Sequence, residues 1–299
     1  MRLSLMTSFV LFAGLCATQA HAGELAFNIL VGEPSWVPDA ENIAHALDHE
    51  NGLRILPMLG KGAVQSVQDL EQFGVIDAAL ITADSLAYVK GQSLLAPDES
   101  KITYIAAVRP LPIMLVTKRS IAHLTALAGK KIATGAADTA SFASGELLLG
   151  AMEVPFLRVA QSQENAVEAL IAGRADAALF VGIPLNLDKL GNGFHALPLV
   201  MPAQLAQIYK PIHLTAKDAP NLVSQNQTLE SVSTSLILVV DGAGASPRRQ
   251  ALKAFEDGYF HQQLGPAAFE DVPAVPREAA AAGLIKNLPS TITPTGANP

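Results

Sequence analysis

The chain has 299 residues, half of them hydrophobic, a formal net charge of −7 and a single cysteine. That length suits two domains and a large core. The acidic balance, without any basic cluster, excludes nucleic acid as a partner, and one cysteine excludes a disulfide framework.

Residues 1–22 read as a secretory signal peptide. Arg2 precedes an apolar run from Phe9 to Leu15, and Ala20-His21-Ala22 is a small-x-small cleavage site. The run is too short to span a membrane. Cys16 falls inside it, and Leu15 does not fit a lipoprotein cleavage box, so a mature chain without thiol or lipid anchor is expected.

Leu25 to Val31 has the character of a first strand, opening into Gly32-Glu33-Pro34-Ser35-Trp36-Val37-Pro38. Asp39 is placed to cap the next helix, whose inner face carries Ile43, Ala46 and Leu47. Trp36, the only tryptophan, has two readings: a cleft aromatic covering a ligand, or a ring packed beneath its loop. Strand-to-helix loops share one side of the sheet, which favours the cleft.

A second unit follows, with strand Leu53 to Leu59, loop Gly60-Lys61-Gly62 and a helix turning Val64, Val67 and Leu70 inward. Lys61 either reaches a ligand anion or is solvated. Strand Ile76 to Ile81 leads to Thr82, Asp84 and Ser85 at another helix start, and Gly91 to Ser100 is a polar surface link. Tyr104 to Lys118 is too apolar for a loop. Its Pro110 and Pro112 suit an edge or a crossing segment, the first passage toward a second lobe.

Ser120 to Leu127 reads as a short helix and Lys131 to Thr134 as a buried strand broken by Gly135. Ala137, Asp138 and Thr139 then open a helix running to about Met152, whose first N–H groups form an anion site at the sheet edge. Val154 to Val159 and Ala178 to Val181 are further strands around helix Gln163 to Ile171, with Phe194 to Val200 an edge strand. Gln207 to Ser233 is irregular. Ser231 to Val240 returns as a strand to the first lobe, a helix spans Ser246 to Tyr259, and Asn287 to Pro299 is a loose tail.

One short pattern occurs twice. Asp77-Ala-Ala-Leu80 and Asp176-Ala-Ala-Leu179 each follow a helix end and a Gly-containing turn, and the second strand ends in Gly182-Ile-Pro184. The repeat points to an α/β, two-lobed fold with a ligand cleft between two three-layer lobes. The expected division is 23–116 plus 231–290 for one lobe, 117–230 for the other and 291–299 as a disordered tail. Passages near Val116, Thr215 and Ser231 would let the lobes close by a hinge motion.

This order resembles the periplasmic-binding-protein fold of type 2, and more narrowly the TAXI-type solute receptors of TRAP transporters. Ser35-Trp36-Val37-Pro38 stands where that family has Thr-Tyr-Tyr-Pro. Gly62-Ala-Val-Gln-Ser-Val follows its Gly-Ser-Val-x-Asn pattern, and Ile76 to Asp84 resembles its Ala-Asp-Leu-Ala-x-x-x-Ser-Asp strand. Val108-Arg-Pro-Leu-Pro is similar to its Leu-Tyr-Pro-Glu segment, and Leu124 to Gly135 to its Leu-x-x-Leu-x-Gly-Lys-x-Ile-x-x-Gly run. The departures fall in the pocket: Gly-Glu-Pro replaces a glycine run, Ala63 and Ser66 replace Ser and Asn, Ala136-Ala-Asp-Thr replaces Gly-Ser-Gly-Thr, and Arg109 stands for a tyrosine.

The resemblance implies a periplasmic, monomeric binding protein that captures a small anionic or zwitterionic solute for the membrane subunits of a transporter. The altered pocket keeps a second role open, an accessory or sensor module for a periplasmic enzyme or receptor. Expected ligand contacts are Ser35, Trp36, Lys61, Gly62, Ala63, Thr82, Asp84, Ser85, Arg109, Ala137, Asp138, Thr139 and Gly182. Arg109 is the expected carboxylate anchor, with Asp138 holding a ligand amine; otherwise Arg109 pairs with an acid such as Glu33 or Asp84. No catalysis, cofactor or metal is expected. The chain has no Gly-x-Ser-x-Gly elbow, and His45 and His49 lack the His-Glu-x-x-His arrangement.

Overall fold

A computed structural model describes residues 24–48, 52–92, 94, 102–184, 186–241 and 246–261. The expected signal peptide with Cys16, most of the 91–100 link, His49 and the tail beyond 287 lie outside these residues.

The first half is built from three strand–helix units. Strands β1 (Leu25–Val31), β2 (Leu53–Leu59) and β3 (Ala78–Thr82) lead into helices α1 (Val37–Leu47), α2 (Ala63–Gln72) and α3 (Ala83–Gly91). β1 lies between the other two strands, parallel to both. The second half repeats the scheme with β5 (Lys131–Ala133), β6 (Leu157–Val159) and β7 (Ala177–Val181), and with α4 (Ala140–Ala151) and α5 (Gln163–Ile171). There β5 lies between β6 and β7, again parallel to both. Two parallel half-sheets covered by helices are the expected two-lobed α/β fold.

Two long strands join the halves. β4 (Ile102–Lys118) runs antiparallel to β10 (Leu229–Asp241) as far as Ile113. There it takes up β7, and from Leu115 also β8 (Phe194–Leu197). β10 starts against β9 (Lys210–Leu214) and ends between β3 and β4, giving the order β2-β1-β3-β10-β4-β7-β5-β6. The third expected passage, near Thr215, is a turn whose N–H and hydroxyl both donate to Asp218 at 2.7 Å.

β4 is therefore a central strand and not an edge, despite its prolines. The Pro112 carbonyl accepts from Gly182 N at 2.8 Å on the β7 side, so the ring nitrogens of Pro112 and Pro110 face that side too. β7 ends opposite Ile113, so the missing donors fall where β4 has no strand beside it. Ser120 to Leu127 holds only a short 3-10 turn, Leu124–Leu127, in place of the expected helix.

The repeated aspartates do one job twice. Asp77 accepts from Asn28 N at 2.8 Å and donates its own N–H to the Asn28 carbonyl. Asp176 does the same with Lys131, at 3.1 Å and 2.7 Å. Each aspartate pins the start of a strand, β3 or β7, to its parallel neighbour. This is why the short pattern recurs.

The largest apolar cluster does not stop at the junction. It runs from Phe27, Ile29 and Leu80 through Leu111, Ile113 and Leu115 of β4 to Leu147, Leu148 and Leu179. Helix α6 (Ser246–His261) closes the first half, stacking Phe255 on Phe27 with ring centroids 4.2 Å apart. Across the junction Tyr88 of α3 meets Phe142 of α4 edge to face at 5.3 Å.

Candidate functional site

Between the halves lies a pocket of about 640 Å³. Four segments wall it: Pro34 to Pro38, from the β1–α1 loop into the start of α1, the middle of β4 from Arg109 to Pro112, the start of α5, and the turn after β7. That size falls within the usual range for small-molecule sites. Of the expected contacts, Ser35, Trp36, Arg109 and Gly182 line it. Gly182 has φ +80, a left-handed turn that suits glycine and lets the chain leave β7 into the pocket wall.

Trp36 combines both of its readings. It is 1% exposed, packed beneath its loop against Gly32, yet it borders the pocket. Arg109 is already paired. Its Nε and Nη2 donate to the two carboxylate oxygens of Asp39 at 2.9 and 3.0 Å, not to Glu33 or Asp84. Asp39 is thus not the cap of α1, whose N-cap is Trp36 without any side-chain bond; it sits in the first turn, facing the arginine. The forked pair engages Nε and Nη2, and the arginine, its side chain about one-third exposed, also lines the pocket.

Sequence reading missed the far wall. Gln163 Oε1 accepts from Val181 N at 2.7 Å, and Asn186 Nδ2 donates to the Glu164 carbonyl at 3.0 Å. These bonds tie α5 to the turn after β7, and Glu164 is among the lining residues. The lining therefore includes one cation, Arg109, already paired with Asp39, and one acid, Glu164.

The remaining expected contacts lie elsewhere. Thr82, Asp84 and Ser85 are wholly buried and do not line this pocket. Thr82 caps α3 by accepting from Ser85 N. Asp84 accepts from Ser85 N at 2.9 Å, from the Tyr209 hydroxyl at 2.9 Å and from the Ser144 hydroxyl. Burial raises the pKa of this carboxyl, and burial followed by the nearby acid raises that of Tyr209 well above its usual value. Lys61 is exposed on its loop and does not line the pocket.

Gly62, Ala63, Ala137, Asp138 and Thr139 meet at a second place, a corner where the N-termini of α2 and α4 face each other. Thr139 caps α4, as its position suggests. The Asp138 carbonyl accepts from Val64 N at 2.9 Å and from Gln65 N at 3.3 Å, so a loop of the second half caps α2 of the first. Gly62 is required by closeness: a Cβ there would stand 2.2 Å from the Asp138 carbonyl oxygen. The start of α4, expected to be a free anion site, is filled. Ala140 N donates to Glu33 Oε1 at 2.9 Å, and Ala63, at the start of α2, lies close enough to the same carboxyl to favour its charged form.

No metal-binding group of three or more His, Cys, Asp or Glu occurs among the described residues, nor any helix long and apolar enough to cross a membrane. No family model and no curated protein matches the sequence. Among solved structures, the amino acid ABC transporter substrate-binding protein AbpA from Streptococcus pneumoniae, bound to L-arginine, is 12% identical. That alignment covers 87% of this chain and 96% of the other, with a TM-score of 0.44. The GluR0 ligand-binding core from Nostoc punctiforme, in complex with L-glutamate, is 14% identical over 83% of this chain and 100% of the other, at 0.43. XAC2383 from Xanthomonas citri, bound to chloride ion, is 13% identical over 88% and 98%, at 0.48.

Proposed function

We propose that the protein is a periplasmic, TAXI-like solute-binding protein. In this reading residues 1–22 direct export, and lobes 23–116 plus 231–290 and 117–230 enclose a small zwitterionic or anionic organic solute. A monomer then delivers the solute to the membrane subunits of a transporter. The observation that carries the reading is the pocket between the halves, with both Arg109 and Glu164 in its lining. The guanidinium suits a carboxylate, and Glu164 suits an ammonium group; a zwitterion satisfies both. The corner closed by the chain's own groups favours a second reading, an accessory or sensor module that does not depend on a solute to hold its lobes together.

The test is mass spectrometry of small molecules released on unfolding the protein purified from its natural compartment, followed by calorimetry with the compound found. Trp36 fluorescence should change on saturation, because the ring borders the pocket. Arg109→Leu should weaken binding about tenfold or more, the worth of one charge-assisted hydrogen bond. Unchanged affinity would remove Arg109 from the site. A protein that releases no solute and binds none from a panel of amino and organic acids would overturn uptake and favour the second reading.

A further inference from the structure

A carboxyl group at two facing helix N-termini is what a bound ligand acid would look like, and here the chain supplies it. Glu33 is the residue before Pro34 in the β1–α1 loop, and its side chain crosses to the second half. Its carboxylate accepts from Ala140 N, the first N–H of α4, which no helix satisfies internally, and it lies beside Ala63 at the start of α2. Helices of 12 and 10 residues direct their positive ends at the one group. The next two N–H groups of α2 are taken by the Asp138 carbonyl. We propose that Glu33 is a built-in counter-ligand, holding the anion corner between α2 and α4 and barring free carboxylates from it.

Three observations support this. The contact is close-built: Gly62 has no room for a Cβ against Asp138, so the corner is shaped around the groups that now fill it. A second carboxylate is not welcome there. Asp138 Oδ1 is buried with no hydrogen-bond partner, and Asp138 and Glu164 both act on Glu33 as like charges. The Glu33 carboxyl is raised to about 7, by burial first and then by those acids, against the pull of the Ala140 N–H and the neighbouring Ala63 backbone. A free acid entering beside it would add a further charge to the same desolvated space. If the protein binds an acidic solute as proposed above, its acid group must then be read at Arg109 and not at this corner.

Truncating the occupant should convert the corner into a site for a small external carboxylate. Glu33→Ala frees the Ala140 N–H beside Ala63 and leaves a space of about carboxyl size, which acetate fits. The probe is thermal melting in sodium acetate against sodium chloride at equal ionic strength, which needs no knowledge of the solute. Glu33→Ala should gain roughly 2–5 °C at about 100 mM acetate near pH 5, where part of the acetate carries the proton that this corner favours. The parent and Glu33→Gln, whose corners remain filled, should show no difference between the two salts. Equal stabilisation of the parent, or none in Glu33→Ala, overturns the proposal. If Glu33→Ala does not fold, the parent alone decides. Its Ala140 amide resonance should shift with a titration near pH 7, undisturbed by acetate. An amide that stays fixed through that titration, or that moves with acetate, sinks the counter-ligand.

Discussion

Replacing Glu33 with glutamine should make the protein more stable above about pH 8, by roughly 3 kcal/mol, while leaving acid stability almost unchanged. Burial raises the Glu33 carboxyl from 4.5 to about 7 in the folded chain. A group held that way binds its proton more tightly folded than unfolded. Its favourable contribution is complete below pH 4.5 and is lost as pH rises through about 7. Glutamine keeps the oxygen that accepts from Ala140 N and never ionises, so that loss disappears. The charged groups acting on the site, Glu164 and Asp138, stay in place in both proteins, as does Asp84. The difference between two urea-unfolding series across pH 4.5 to 8.5 therefore isolates one carboxyl. Superimposable pH profiles for the two proteins would mean that Glu33 is not held in the corner.

The buried Asp84 carries the other large effect. Its carboxyl joins α3 of the first half to Ser144 of α4 and to Tyr209, all without contact with water. Asp84→Ala strands two hydroxyls and opens a space among them, and should lower stability by roughly 2–5 kcal/mol. Asp84→Asn keeps one acceptor oxygen and removes the buried charge. It should fall within about 1 kcal/mol of the parent at neutral pH and gain on it as pH rises, since the folded-state pKa of Asp84 is raised. Chemical unfolding of the two variants side by side checks both. An alanine variant as stable as the parent would show that the hydroxyls find other partners.

The features legible in the sequence are those set by near neighbours. Thr139 caps α4 from its own position, and the twice-written Asp-Ala-Ala-Leu marks the corresponding strands β3 and β7. The pocket's location followed from the loops that leave β1 and β7. What stayed hidden depends on residues far apart in the chain. Arg109 could be singled out as a charge on an apolar strand, but its partner Asp39 lies 70 residues away and looked like a helix cap. Glu33 reaches a donor 107 residues distant, and nothing in Gly-Glu-Pro announces that contact. Thr82, Asp84 and Ser85 had the spacing of a polar helix start. Their burial comes from α4 and Tyr209 closing over them, which no local pattern encodes.

The place of β10 also sets a timetable. It is the last strand described, yet it sits between β3 and β4, pairing Leu238 with Leu80 on one side and Ala106 on the other. A growing chain that has finished β1, β2 and β3 still lacks the neighbour that covers the outer edge of β3. The first lobe must wait, with that edge unpaired, until residue 241 has been made. The second lobe's parallel strands, all contained between Lys131 and Val181, need no such delay. Its core, though, also takes in Leu214 to Val223, so both halves find their last partners only near the end of the described chain.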